Sequence, residues 1–149
     1  MKRRSSKIGK IVSLASAEER RFGAATGKSR RELEEQMSRL GELNAYRHDY
    51  ATLSQSMKKV SSAHWKDYQN FMRRLDQAVK SQQQIVKDSE QKLELHRRRW
   101  LEKRKRLESL QRVLESYRED EAQHAERLEQ RELDDLPTPE ELYPDEPET

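Results

Sequence analysis

HWKDYQNFMRRLDQAVKSQQQIVKDSEQKLELHRRRWLEKRKRLESLQRVLE, residues 64–115, decides the fold. From Trp65 onward one stripe can be followed at alternating steps of three and four. It runs through Tyr68, Met72, Leu75, Val79, Gln82, Val86, Ser89, Leu93, His96, Trp100, Lys103, Leu107, Leu110 and Leu114. The same steps continue to Tyr117, Glu121, His124 and Leu128. Alternating threes and fours average 3.5 residues, close to the helical turn, so these side chains share one face as a heptad seam. Between Gly41 and Pro137 there is neither Gly nor Pro. Nothing in the backbone therefore opposes helix across 42–136.

A second series lies N-terminal to the first: Leu33, Met37, Leu40, Leu43, Tyr46, Tyr50, Leu53, Met57 and Val60. It too steps by three and four, which is one helix face. The two series differ in phase, because continuing the earlier one selects His64, Asp67 and Phe71. The change falls in SQSMKKVSSAHW, residues 54–65, where Ser61 or Ser62 could cap a new helix. This predicts a turn near 57–63 joining two antiparallel helices. The second helix, about 70 residues, would be about 105 Å long at 1.5 Å per residue. One continuous helix that dimerises would carry the same periodicity and stays open as an alternative.

Further out, SLASAEERRF at 13–22 reads as a first helical stretch with Ser13 as its cap. GAATGKS at 23–29 reads as an interruption, with two Gly and no large apolar side chain. Residues 1–12 are basic (Lys2, Arg3, Arg4, Lys7, Lys10) and read as a flexible terminus. DDLPTPEELYPDEPET, residues 134–149, holds four Pro and seven acidic residues without Lys or Arg. It reads as a disordered acidic tail. The expected organisation is all-α: a basic N-terminus (1–12), an antiparallel coiled-coil hairpin (13–133) and the tail (134–149).

Composition agrees. Charged residues make up 40% of the chain and hydrophobic ones 32%, with a mean hydropathy of -1.29. That is too little for a thick globular core but enough for a two-helix seam. The net charge of +3 becomes +10 over residues 1–133 once the seven tail acids are set aside, which favours an acidic partner surface. There is no Cys, so a disulfide scaffold and a thiolate metal site are excluded. No run approaches the roughly 20 apolar residues of a membrane span. The start imitates a signal peptide, but IVSLASA is short, carries two Ser and runs into Glu18 and Glu19; a cytoplasmic protein is expected.

Several apparent sites dissolve on inspection. GAATGKS has three residues, not four, between its first Gly and Gly-Lys-Ser, and no strand before it, so it does not make a phosphate-binding loop. His48, His64, His96 and His124 are too far apart for local metal-ligand spacing, and His96 and His124 are seam positions. No pocket is implied that would tune the many carboxylates, so an enzyme is not expected. HRRRWLEKRKR at 96–106 carries seven basic residues and precedes Leu107, Leu110 and Leu114, which invites a basic-zipper reading. Against it, Trp100 and Leu101 interrupt the basic face, Asn occurs only at 44 and 70, and seam positions 121 and 124 are Glu and His. The block, Arg97, Arg98, Arg99, Lys103, Arg104, Lys105 and Arg106, is expected to be a solvated basic helix face or to meet an acidic partner instead. Phe71, Leu75 and Ala78, off-centre on the second helix, join Tyr46 and Tyr50 in an apolar stripe wider than a two-helix seam needs. It is either extra core or a partner-binding patch.

YRHDY at 46–50, HWKDYQNFMRRLDQAV at 64–79 and RRRWLEKRKRLESLQRVLE at 97–115 resemble, in that order, the flagellar export protein FliJ family. The resemblance covers about residues 8–133. It implies an antiparallel two-helix coiled coil similar to the central stalk of rotary ATP synthases. It also implies a non-enzymatic, cofactor-free part of the flagellar type III export apparatus, cytoplasmic and peripheral to the inner membrane at the flagellar base. The implied partners are the export ATPase, whose ring assembly it promotes, the export gate and the export chaperones, with neither nucleic acid nor a small-molecule substrate. Carried over residue by residue, the gate-binding patch falls on Leu14, Tyr46, Tyr50, Phe71, Leu75, Ala78 and Gln82. Gln82 stands where some relatives have His, and the acidic tail lies outside the pattern. Two other readings are a structural coiled-coil spacer or homodimer, and a basic coiled-coil nucleic-acid binder.

Overall fold

A computed structural model of the chain describes residues 3–56 and 61–139. It contains two helices, α1 (Arg4–Ser56) and α2 (Ser62–Asp134), and no strand among the described residues. The expected turn at 57–63 lies mostly outside the described residues. Ser61 sits just before α2, where its carbonyl accepts the Trp65 amide at 3.1 Å. Its hydroxyl lies 2.6 Å from His64 Nδ1, so this cap works through the backbone and a side chain of the first turn. Residues 140–149 of the expected tail also lie outside the description.

The chain divides into two compact units, residues 1–15 with 106–149 and residues 16–105. In the second unit the helices pair antiparallel. Glu18 meets Lys103, Glu19 meets Trp100, Thr26 meets His96, Glu32 meets Lys92, Gln36 meets Gln82, and Tyr50 meets Tyr68. Partners on α2 rise in number as those on α1 fall. In the first unit the start of α1 contacts α2 through Ser5 and Glu121. The single continuous helix is thereby set aside.

The heptad read from α2 is the seam. Every position of it from Tyr68 to Glu121 is buried or half-buried, and Leu75, Val79, Val86, Leu93 and Leu114 are core. Burying a Val or Leu of this kind stabilises by about 1.5–3 kcal/mol. Trp65, His124 and Leu128, at the ends of the series, are exposed.

On α1 the structure differs from the expectation in two respects. First, the helix runs unbroken through GAATGKS and begins at Arg4. Residues 4–12, read as flexible, are helical, and Ser5 is hydrogen-bonded to Glu121. Second, the seam is a strict heptad: Ser5, Ile8, Val12, Ala15, Glu19, Phe22, Thr26, Ser29, Leu33, Gln36, Leu40 and Leu43 are all buried or half-buried. Met37, Tyr46 and Leu53, expected on that face, are exposed. Small seam residues fit because their partners are large. Gly23 lies against Trp100: a Cβ there would approach the indole nitrogen to 3.0 Å. That nitrogen donates to Glu19 Oε1 at 2.9 Å. Gly23 therefore makes room for Trp100 where the sequence alone suggested a break, and Thr26 and Ser29 are buried in the same stretch.

Candidate functional site

In the second unit, the end of α1 and the start of α2 bring five aromatic residues together. Tyr46 and Tyr50, one turn apart, stack with ring centroids 6.5 Å apart. Tyr50 meets Phe71 across the seam at 4.6 Å, in a tilted arrangement. Trp65 and Tyr68 stack at 5.6 Å, and the Tyr68 hydroxyl donates to the Tyr50 carbonyl at 2.8 Å. Aromatic pairs at such separations contribute about 0.5–1.5 kcal/mol beyond their buried area. Yet Tyr46 is 59% exposed and Phe71 40%. The run thus starts in the seam and emerges on the surface of both helices.

The residues of the expected patch divide by role. Tyr46 and Phe71 are exposed, and Tyr50 and Ala78 half-buried. Leu75 and Gln82 are buried seam residues. Gln82 Nε2 donates to the Gln36 carbonyl at 2.9 Å and to Gln36 Oε1 at 2.8 Å. Leu75 and Gln82 therefore belong to the seam and not to the exposed surface. Leu14 is exposed in the first unit, whereas the other six residues belong to the second. Trp65 and Tyr68 join the cluster without having been singled out, because sequence reading assigned them wholly to the seam. Beside them, Arg47 Nε lies 2.8 Å from Asp76 Oδ1, near enough for an ion pair though not aligned as a hydrogen bond.

The basic block divides as well. Lys103 is a seam residue: its ammonium lies 3.3 Å from Glu18 Oε1 and 5.2 Å from the Phe22 ring centre. Arg104 lies over the Trp100 ring at 5.4 Å. Arg98 pairs with Glu94 one turn back at 3.2 Å, a surface pair worth about 0.3–0.5 kcal/mol. Arg97, Arg99, Lys105 and Arg106 are exposed. Heptad spacing puts Arg97 and Arg104 on one flank of the α2 seam, and Arg99 on the opposite flank.

In the first unit, the Ser5 hydroxyl donates to Glu121 Oε2 at 2.6 Å, and its amide to Oε1 at 3.2 Å. The first turn of α1 has no acidic residue of its own. Glu121 supplies the carboxylate that a helix N-terminus favours. The Ser5 hydroxyl holds the Glu121 carboxyl below its usual range, against some desolvation; the Ser5 amide, Arg3 and Arg118 help. Among the described residues no cluster of three or more His, Asp or Glu could hold a metal ion. No helix among them is long and apolar enough to cross a membrane.

The antiparallel helix pair matches the expected fold, and a family comparison decides the matter. The model of the family described as "Flagellar FliJ protein" matches residues 4–138. The chain belongs to this family. Membership makes it a component of the flagellar export apparatus, in a family that is structural rather than enzymatic. No curated protein and no solved structure matches the chain.

Proposed function

We propose that this chain is a cytoplasmic, membrane-peripheral stalk of the flagellar export machinery. It binds the export ATPase ring, promotes the ring's assembly, and contacts the export gate and export chaperones. Family membership over residues 4–138 is the observation that carries this reading. The aromatic run supports the gate contact. Tyr46, Tyr50 and Phe71 offer rigid apolar area at low entropic cost, as interface anchors do, and Ala78 joins them through the family resemblance. Leu14, Leu75 and Gln82 enter through the family resemblance. The exposed arginines at 97, 99, 104 and 106 supply positive charge for acidic surfaces of the ring. ATP chemistry stays with the partner.

The test is a pull-down from a flagellated bacterial lysate, with circular dichroism on each variant. Wild type is expected to retain the export ATPase and the gate protein. Tyr46→Ala and the Tyr50→Ala/Phe71→Ala pair should remain helical, keep the ATPase and bind the gate about tenfold more weakly or worse. Export ATPase activity that does not change on adding the chain, with no complex formed, overturns the stalk reading.

A further inference from the structure

In the first unit the start of α1 carries a face that its packing against α2 does not use. Ser5, Ile8, Val12 and Ala15 are the seam residues there, buried or half-buried. Arg3, Arg4, Lys7, Lys10, Ile11 and Leu14 are exposed. At about 100° per residue these side chains fall within about 120° of the helix circumference. Two large apolar side chains thus stand among cations, and Leu14 is 72% exposed and Ile11 41%. Neither Asp nor Glu occurs from residue 3 to residue 17. Arg3 and Arg4 also border a groove shared with Asp120 and Glu121 of α2. Lys7 and Lys10 do not line it, and among the described residues they make no ion pair. They are the cations committed to the outer face.

We propose that this face binds the surface of a bilayer containing anionic phospholipid. Ile11 and Leu14 enter the boundary between headgroups and acyl chains, and the cations rest on the headgroup phosphates. Charge complementarity favours an anionic occupant: each Lys or Arg near such a surface strengthens binding about fivefold. The apolar pair selects among anionic occupants. A nucleic-acid backbone offers phosphate but nothing for Leu14 to bury against. A bilayer offers both, at the depth of about 5–10 Å that a helix lying in the interface reaches. The apolar stems of Lys and Arg let the charged ends stay at the phosphates while shorter apolar side chains go deeper. An acidic protein surface is less well matched, because this face is one convex helix side without an aromatic anchor or a pocket. No helix among the described residues is long and apolar enough to cross a membrane, so the contact is peripheral. The basic block at 97–106 suits lipid less well, because Glu94 and Glu102 lie next to and among its cations. The inference goes beyond the export reading and needs no export partner. It gives a ligand of its own to Leu14, which belongs to a different unit from the other residues of the expected gate patch.

The test is sedimentation of the intact purified chain with vesicles, either of phosphatidylcholine alone or with about 30% phosphatidylglycerol, at about 0.1 M salt. Binding is expected to the anionic vesicles and not to the neutral ones. Ile11→Ser/Leu14→Ser leaves the charge unchanged and should weaken binding about tenfold. Lys7→Gln/Lys10→Gln should weaken it about tenfold or more. Arg97→Gln/Arg104→Gln should bind like wild type. Circular dichroism accompanies each variant. If the Ile11/Leu14 double variant loses helix, Leu14→Ser alone, at the more exposed position, gives the same comparison. Failure to bind anionic vesicles overturns the proposal and leaves the face to an acidic protein. Equal binding to neutral vesicles overturns it too. So does binding that ignores Ile11 and Leu14, which reports net charge alone, and so does a loss in Arg97→Gln/Arg104→Gln, which moves the lipid contact to the second unit.

Discussion

Glu121 illustrates how one side chain links sequence-distant parts of the first unit. Its carboxylate binds the hydroxyl and the amide of Ser5, and these bonds draw its pKa down. A depressed carboxyl pKa stabilises the folded form above the unfolded value, about 4.3, and that contribution is lost as pH falls through the folded value. Acid titration followed by hydrogen exchange at Ile8 should therefore show the first turns of α1 loosening as Glu121 protonates. Glu121→Gln should loosen them already at neutral pH and flatten the acid dependence. A pH profile identical to the parent's would mean that Ser5 finds another partner. In the second unit, Gln82 meets Gln36 in the seam. Gln82→Ala is expected to cost about 1–3 kcal/mol in urea unfolding, from the lost bonds and the space left behind.

At the scale of an element, α1 combines weak helix formers with an unbroken helix. Its glycines separate propensity from packing. A Cβ at Gly27 or Gly41 meets nothing within 4 Å. Ala at either position should raise stability by about 0.8–1 kcal/mol through propensity alone. At Gly23 the same change presses on the Trp100 indole, which is already bound to Glu19. Gly23→Ala is expected to forfeit that gain and to alter Trp100 fluorescence; an increase equal to that at Gly41 would refute the close contact. On α2, Leu93 is core and Ile85 is 44% exposed. Leu93→Ala should cost about 2–5 kcal/mol, and Ile85→Ala no more than about 0.5 kcal/mol. A similar cost at both would mean that Ile85 is covered by something else.

Over the whole molecule, each unit satisfies its seam within one chain. Thermal unfolding is therefore expected at the same midpoint over a roughly hundredfold range of protein concentration, since folding bound to self-association makes the midpoint concentration-dependent. A rising midpoint would favour the homodimeric spacer. The basic surface has a corresponding test. A nucleic-acid binder would shift duplex DNA with an affinity falling steeply in salt, whereas an export component with basic patches for acidic protein surfaces should give no such complex at about 0.15 M salt.

The sequence by itself determined the helical hairpin, the α2 seam and the family, but not the unbroken course of α1 from Arg4. A heptad is a local property: spacing alone places Tyr68 to Glu121 on one face, whatever packs there. It also set out Tyr46, Tyr50 and Phe71, because aromatic residues beyond a seam's need stand out by type. The seam of α1 was decided only in the tertiary structure. Counting from Leu33 toward the N-terminus by fours and threes gives Ser29, Thr26, Phe22, Glu19 and Ala15, so the period was present. Apolarity was not, because a small or polar residue becomes a seam residue only when its partner fits it, as Trp100 fits Gly23 and Gln82 fits Gln36. The same holds for Lys103, a surface cation by type, which the antiparallel register sets beside Glu18 and Phe22. Register is a relation between residues of two helices that lie from 18 to 85 positions apart in the chain within the second unit. Neither helix carries it alone, and for that reason it had to be seen rather than read.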